Sequence, residues 1–262
     1  MKPSINHIQK RKKIQTILII GLFALFLSWS LIDTGFNVPK LLNGIGETFR
    51  FIFIDMFPPN LSSLKGFMGP ALDTVYMSFV AMVISAISAF FLSFIAAYNL
   101  TPHPTLQYAV RGLASFLQSI PALVWVLVLV AAYGLGLIAG TIALTLSGTG
   151  LLTRSFAEIL EEIDMGPVEA VQSTGASWIQ VIGQAVVPQV LPGMVGWSLY
   201  KFDLNIREAA VIGMVGGGGI GFAMQRSLSL FQYKDAFMAI LLIFTLIIGI
   251  EYLTNKVRMR LL

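Results

Sequence analysis

Three stretches of this sequence carry residue types that could do chemistry. Gly216-Gly217-Gly218-Gly219-Ile220-Gly221 fits G-x-G-x-x-G, a spacing that cradles a pyrophosphate when it joins a strand to a helix. Ser147-Gly148-Thr149-Gly150 offers a serine that could act as a nucleophile if a base stood beside it. Lys201, Asp203, Arg207 and Glu208 crowd four charges into one short neighbourhood. Charges in an apolar setting either pair with one another or line a path for ions.

The surroundings weaken the first two readings. The glycine run lies among long apolar segments with no βαβ context, and no Gly-Lys-Ser/Thr stands anywhere for a phosphate loop. A nucleotide must therefore bind elsewhere. Gly216 and Gly218 then make either a tight turn with close backbone packing, or a gate whose amides contact an anion. No histidine follows Ser147 to serve as its base, so the small residues there suit close helix packing. His7 sits in a basic tail and His103 between prolines, without metal-ligand partners at useful spacing. Asp203 and Arg207 stand at i, i+4 with the acid first, a favourable helical pair. That cluster reads as structural ion pairing, with a place for Arg207 on an anion path as the alternative.

Composition sets the elements that must position these residues. Of the 262 residues, 56% are hydrophobic and 11% charged, against about 25% charged in a soluble domain. The chain is an integral membrane protein. Its net charge of +4 is no sign of nucleic-acid binding, because the basic residues gather at the ends. Lys2, Lys10, Arg11, Lys12 and Lys13 precede the first apolar segment, and Lys256, Arg258 and Arg260 follow the last. By the positive-inside rule both termini are cytoplasmic, which demands an even number of spans. The absence of cysteine excludes disulfides and thiolate chemistry.

Six spans fit. Residues 14–32 form the first, long enough to span a bilayer and without the cleavage site of a signal peptide. The second is Thr74 to Tyr98, stopped near Pro102 and Pro104. Gly134-Leu135-Gly136 divides the stretch from Gly112 to Thr153 into a third and a fourth. The fifth runs from Gln189 to about Asn205, and the sixth from Ala236 to Leu253. A basic tail (1–13) and an external segment (33–70) flank span one. A transmembrane core (71–255) holds the cytoplasmic loop 154–188, and a second basic tail (256–262) follows. In the external segment Leu41, Leu42, Ile45, Phe49 and Ile52 recur at near-helical spacing, as in an interfacial helix or a packed loop.

The cytoplasmic loop concentrates Arg154, Glu158, Glu161, Glu162, Asp164 and Glu169, in a chain with few charges. Phe156, Ile159, Leu160 and Ile163 make one apolar helix face. Met165-Gly166 breaks that helix and Pro167 restarts it at the first helical position. Glu169 then falls third, facing the positive helix end. Gly175 suits a left-handed terminating residue, Ser177 caps the next helix, and Pro188 closes the unit. The result is either a short angled helix that transmits force to a partner or an ordinary inter-span loop.

Glu169-Ala170-Val171, then Gly175, then Pro188 resembles the EAA loop of ABC-importer permeases. Val171, Ala185 and Val187 replace the family's alanine, isoleucine and leucine, apolar for apolar. Ser119-Ile120-Pro121, Phe156-Ala157-Glu158, Pro188 to Pro192, Asn205-Ile206-Arg207 and Val215 to Gly221 are similar to the phosphonate-transport permease subfamily. That likeness covers roughly Asp73 to Leu262. It departs at Ala122, where the subfamily often has an acid, and at Ser147, where it often has a histidine.

The resemblance implies an all-α integral membrane protein of about six transmembrane helices with the MetI-like type I importer permease fold. It implies a homodimer in the bacterial inner membrane, with two ABC ATPase subunits on its cytoplasmic face and an extracytoplasmic substrate-binding protein. No cofactor is expected in this chain, since ATP and Mg would sit in the ATPase. Glu169, Ala170, Gly175, Ser177 and Pro188 would couple to that ATPase. Ser119, Pro121, Ser147, Arg207, Gly216 and Gly218 are candidates for the substrate pathway or a gate. Phosphonate, phosphite or hypophosphite would be the cargo. A methionine-type permease is the alternative, or, less favoured, a secondary transporter, which calls for titratable midplane groups and often repeat symmetry, neither of them evident in the sequence. No catalytic set argues for an enzyme.

Overall fold

A computed structural model describes residues 5–101 and 103–261; Pro102, named above as a helix stop, and residues 1–4 and 262 of the tails lie outside them. Every element among the described residues is helical. The chain divides into two compact units, residues 1–55 and 56–262.

The first unit holds α1 (Ile5–Asp33) and α2 (Val38–Arg50). In α1 the apolar residues lie on all sides, as a span surrounded by lipid requires. Asn37 caps α2, its side chain accepting from the Lys40 N–H at 3.2 Å. Of the helix and the packed loop left open for Leu41, Leu42, Ile45 and Phe49, the structure has the helix, and it is amphipathic.

The second unit is a bundle. It begins with α3 (Leu64–Ala96), which starts well before the predicted Thr74. Next come α4 (Pro104–Ser119) and α5 (Ala122–Tyr133), bent by 86° at Ile120-Pro121. Proline has no N–H and disfavours helix in the residue before it, so the third span breaks there. α6 (Leu137–Glu161) continues without interruption through the loop start predicted at Arg154. Two short helices, α7 (Met165–Ser173) and α8 (Trp178–Val181), lead through a π-helical turn at Ile182–Val186 into α9 (Val187–Ile212). A kinked segment, Gly213–Gly217, in which Val215 and Gly216 leave helical φ/ψ, precedes α10 (Gly219–Ser229), and α11 (Tyr233–Leu261) is the last helix. Five helices among the described residues can cross a membrane by length and composition, or six with the bent pair as one.

Small residues let these helices approach closely. Ala81 and Ala89 of α3, Ala143 of α6 and Ala209 of α9 are fully buried, the packing mode of helices in lipid, where close fit replaces the hydrophobic drive. α6 and α9 run antiparallel. A Cβ on Gly140 would strike the Gly217 carbonyl, one on Gly148 would lie 3.1 Å from Lys201 Cε, and one on Gly193 3.1 Å from Ile159 Cδ1. Lys201 therefore sits halfway along α6.

Candidate functional site

The loop after α6 folds into a short exposed helix with defined ends. Asp164, not Gly166, is its cap: the carboxylate accepts from the Gly166 N–H at 2.9 Å. The helix thus begins at Met165, which places Pro167 third and Glu169 fifth. The predicted reach of Glu169 back to the helix end is corrected. Its carbonyl accepts the Ser173 hydroxyl at 2.8 Å and its side chain faces solvent. Gly175 has φ +79°, as a left-handed terminator requires. Ser177 pairs with Gln180, which accepts from its N–H at 2.8 Å. Pro188 does not close the unit. It enters α9 directly after the π turn, where the missing N–H is tolerated because the regular bond pattern is already interrupted.

Two devices fix the short helix against the bundle. Val168 is 1% exposed and packs with Phe156, Leu160, Val181 and Val186. The Gln189 side chain accepts from the Asp164 N–H at 3.0 Å and donates to the Asp164 and Ala185 carbonyls at 3.2 and 2.7 Å. Glu169, Ala170, Gly175, Ser177 and Pro188 all remain on the surface. Beside them Trp178 and Ile179 are 61% and 77% exposed.

Part of the loop's charge is used inside the protein. Glu161 pairs with Arg111 of α4 and accepts from the Tyr98 N–H at 2.8 Å. Arg111 also donates to the Ala96 carbonyl at 2.8 Å, and Asn99 donates to the Leu160 carbonyl at 2.7 Å. The turn between α3 and α4 is thus latched to the end of α6. A cavity of about 270 Å3 lies alongside, lined by Arg111, Ser115, Thr153, Arg154 and Glu158 among others. His103 caps α4 through Nδ1, 3.2 Å from the Thr105 N–H.

The other candidates are spread over three places. Ser119 and Pro121 form the elbow between α4 and α5, where Ser119 donates to the Phe116 carbonyl at 3.0 Å. Ser147 is half-buried in the middle of α6. Gly216 and Gly218 are buried with φ +104° and +82°. The Gly216 carbonyl accepts from the Gly136 N–H at 2.8 Å, and a Cβ on Gly218 would lie 2.9 Å from the Leu137 nitrogen. Thr74 of α3 completes this knot by accepting from the Ile220 N–H at 2.8 Å. The run thus packs closely, backbone to backbone, against the start of α6.

The charged group on α9 is more extensive than its spacing suggested. Arg207 donates to Asp203 at 2.8 Å and to Glu251 of α11 at 3.0 Å. Lys201, 1% exposed, donates to Glu208 at 3.0 Å. Three residues of these arrangements escaped the sequence reading. Gln189 and Arg111 carry no local signal of their partners, which are remote in sequence. Asp164 did carry one, an acid directly before a helix start.

A family model described as "Binding-protein-dependent transport system inner membrane component" matches residues 89–255. A phosphate-import permease protein of Mycolicibacterium smegmatis is 38% identical over 80% of this chain, which spans 40% of that protein's length. A phosphite transport system permease protein of Stutzerimonas stutzeri is 34% identical over 85% of this chain and 80% of its own. Among solved structures, the MetNI methionine ABC transporter in inward-facing conformations matches with a TM-score of 0.67 and 19% identity. It covers 78% of this chain and 99% of the matched one. A bacterial alginate ABC transporter covers 94% and 97% at a TM-score of 0.56 and 13% identity. These structural likenesses concern the fold, which is that of an importer permease.

Proposed function

The chain belongs to the family of binding-protein-dependent transport system inner membrane components, and from that membership we propose that it is the permease subunit of an ABC importer for a phosphorus oxyanion. Phosphonate and phosphite are the leading cargoes, with hypophosphite close in size and charge. Relatives named for phosphite and phosphate import support that class. Two copies enclose the pathway in the bacterial inner membrane, with both termini cytoplasmic. Two ATPase subunits bind the exposed short helices, and an extracytoplasmic binding protein delivers the cargo. ATP and Mg stay with the ATPase. Its closure pulls on α7 and tilts the spans between inward-open and outward-open states.

One observation carries this reading. α7 stands exposed between the Asp164 cap and the left-handed Gly175, held to the bundle by Val168 and Gln189. A short helix anchored at one side chain and one clamp can transmit a push without unfolding. The methionine-type alternative draws on a D-methionine permease of Vibrio cholerae, 31% identical over 40% of this chain. The phosphorus-oxyanion relatives align over about twice that share.

The experiment is reconstitution with the ATPase and the loaded binding protein, reading ATP hydrolysis and phosphite uptake together. Stimulated hydrolysis with uptake supports the proposal; no association with the ATPase, and uptake that survives ATP depletion, removes it. Glu169→Lys should keep the spans inserted yet separate hydrolysis from uptake, seen as ATP consumed per phosphite moved.

A further inference from the structure

Lys201 is the most deeply buried charged side chain among the described residues, at 1% exposure. It lies at the midpoint of the bundle, where Gly148 of α6 leaves room for its stem. A Cβ on that glycine would come within 2.5 Å of Ser85 Oγ and 3.1 Å of Lys201 Cε. An ammonium there is costly, and an intramembrane charge is retained where it serves a path or a partner. Its partner, Glu208, lies two helical turns further along α9 at 3.0 Å, with 35% of its side chain exposed. The pair thus runs from a sealed interior to an open surface.

Asn205 stands between them, fully buried, donating to the Ser78 carbonyl at 3.1 Å. Its own Oδ1 and the Ser78 hydroxyl are buried without partners among the described residues. Lys201, Asn205 and Glu208 thus recur at i, i+4 and i+7 on one side of α9, with Ser78 of α3 against Asn205, and form one polar lane in an otherwise apolar core. Stability does not explain the lane. A buried ion pair gains little over apolar residues of the same volume, because desolvation offsets the attraction.

We propose that Lys201 is the cation that holds the oxyanion in transit, and that Glu208 is the carboxylate that occupies it until the oxyanion arrives. This inference rests on the importer reading above. A carboxylate and a phosphorus oxyanion offer the same chemistry to an ammonium, negative acceptor oxygens on a small centre. Glu208 can leave because it sits at the exposed end of the lane. The arriving anion then takes the contact that Glu208 gives up, so the lysine is never buried alone.

The test uses the complex of this chain with its ATPase and binding protein in liposomes. Wild-type uptake comes first; absence of phosphorus-oxyanion uptake removes the importer reading and this inference with it. Where wild type transports, Lys201→Gln/Glu208→Gln should assemble and hydrolyse ATP, while phosphite uptake falls about tenfold to a hundredfold, the value of one hydrogen bond to a charge. Uptake at the wild-type rate would overturn the proposal. Should that pair fail to assemble, Glu208→Gln alone decides, by equilibrium binding of phosphite to the complex without binding protein. The proposal expects tighter binding by about tenfold, since the internal competitor is gone. Unchanged or weaker binding overturns it.

Discussion

Gly175 is the residue at which backbone conformation and proposed function meet most closely. Its φ is +79° and no atom lies within 4 Å of where a Cβ would be. The only penalty for a side chain there is conformational, about 1–2 kcal/mol for holding a Cβ in the left-handed region. Gly175→Ala should therefore leave assembly intact and loosen the end of α7, raising the ATP consumed per cargo molecule. Gly183→Ala, also in open space but without a positive φ, should leave that ratio at the wild-type value. Thr74 makes the opposite case, a residue whose side chain is all contact. Its hydroxyl donates to the Pro70 carbonyl at 3.0 Å and accepts from the Ile220 N–H at 2.8 Å, at 1% exposure. Thr74→Val strands that N–H in the core, so stability should fall by about 1–3 kcal/mol, measured by thermal unfolding in detergent. A midpoint equal to wild type would show that the glycine knot does not need its cap.

At the scale of elements, the latch between the α3–α4 turn and the end of α6 sets where α7 begins. Glu161 collects both the Arg111 guanidinium and the Tyr98 N–H. Arg111 is 43% exposed on its side chain, so the pair contributes about 1 kcal/mol at most; the bond to the backbone adds about as much. Glu161→Ala should lower the unfolding midpoint and speed hydrogen exchange at residues 97–101, while Glu162→Ala, an exposed neighbour, should do neither. The sequence marked the spans, the left-handed Gly175, the Ser177 turn and the Asp203–Arg207 pair, because each depends on local pattern. It misplaced what depends on competition between neighbouring signals. Asp164 outbid Gly166 as the cap, since its carboxylate reaches a helix N–H that glycine cannot. Pro188 looked like a stop, but the π turn before it had already broken the bond ladder, so the helix runs on. Contacts such as Arg111 with Glu161 and Gln189 with Asp164 join distant residues and leave no periodic trace.

For the molecule as a whole, the charged face of α9 and α11 constrains what surrounds the bundle. Arg207 and Glu251 are 45% and 49% exposed on their side chains, within helices otherwise apolar enough to cross a membrane. Lipid cannot cover them, because a charge facing hydrocarbon is too costly to retain. The face must meet either water or polar groups of a partner chain. Val211 lies one turn beyond Arg207 on the same side of α9 and is 51% exposed. The chain has no cysteine, so single thiols can be placed without background. Val211→Cys in the assembled complex should react with a membrane-impermeant thiol reagent, and faster when the cycle opens the pathway. Leu22→Cys, in the middle of α1 and 74% exposed, should stay unreactive from either aqueous side, since lipid surrounds it. Equal protection of both thiols in every nucleotide state would place the charged face against a dry surface instead. In that case Arg207 and Glu251 meet polar groups of another chain rather than water.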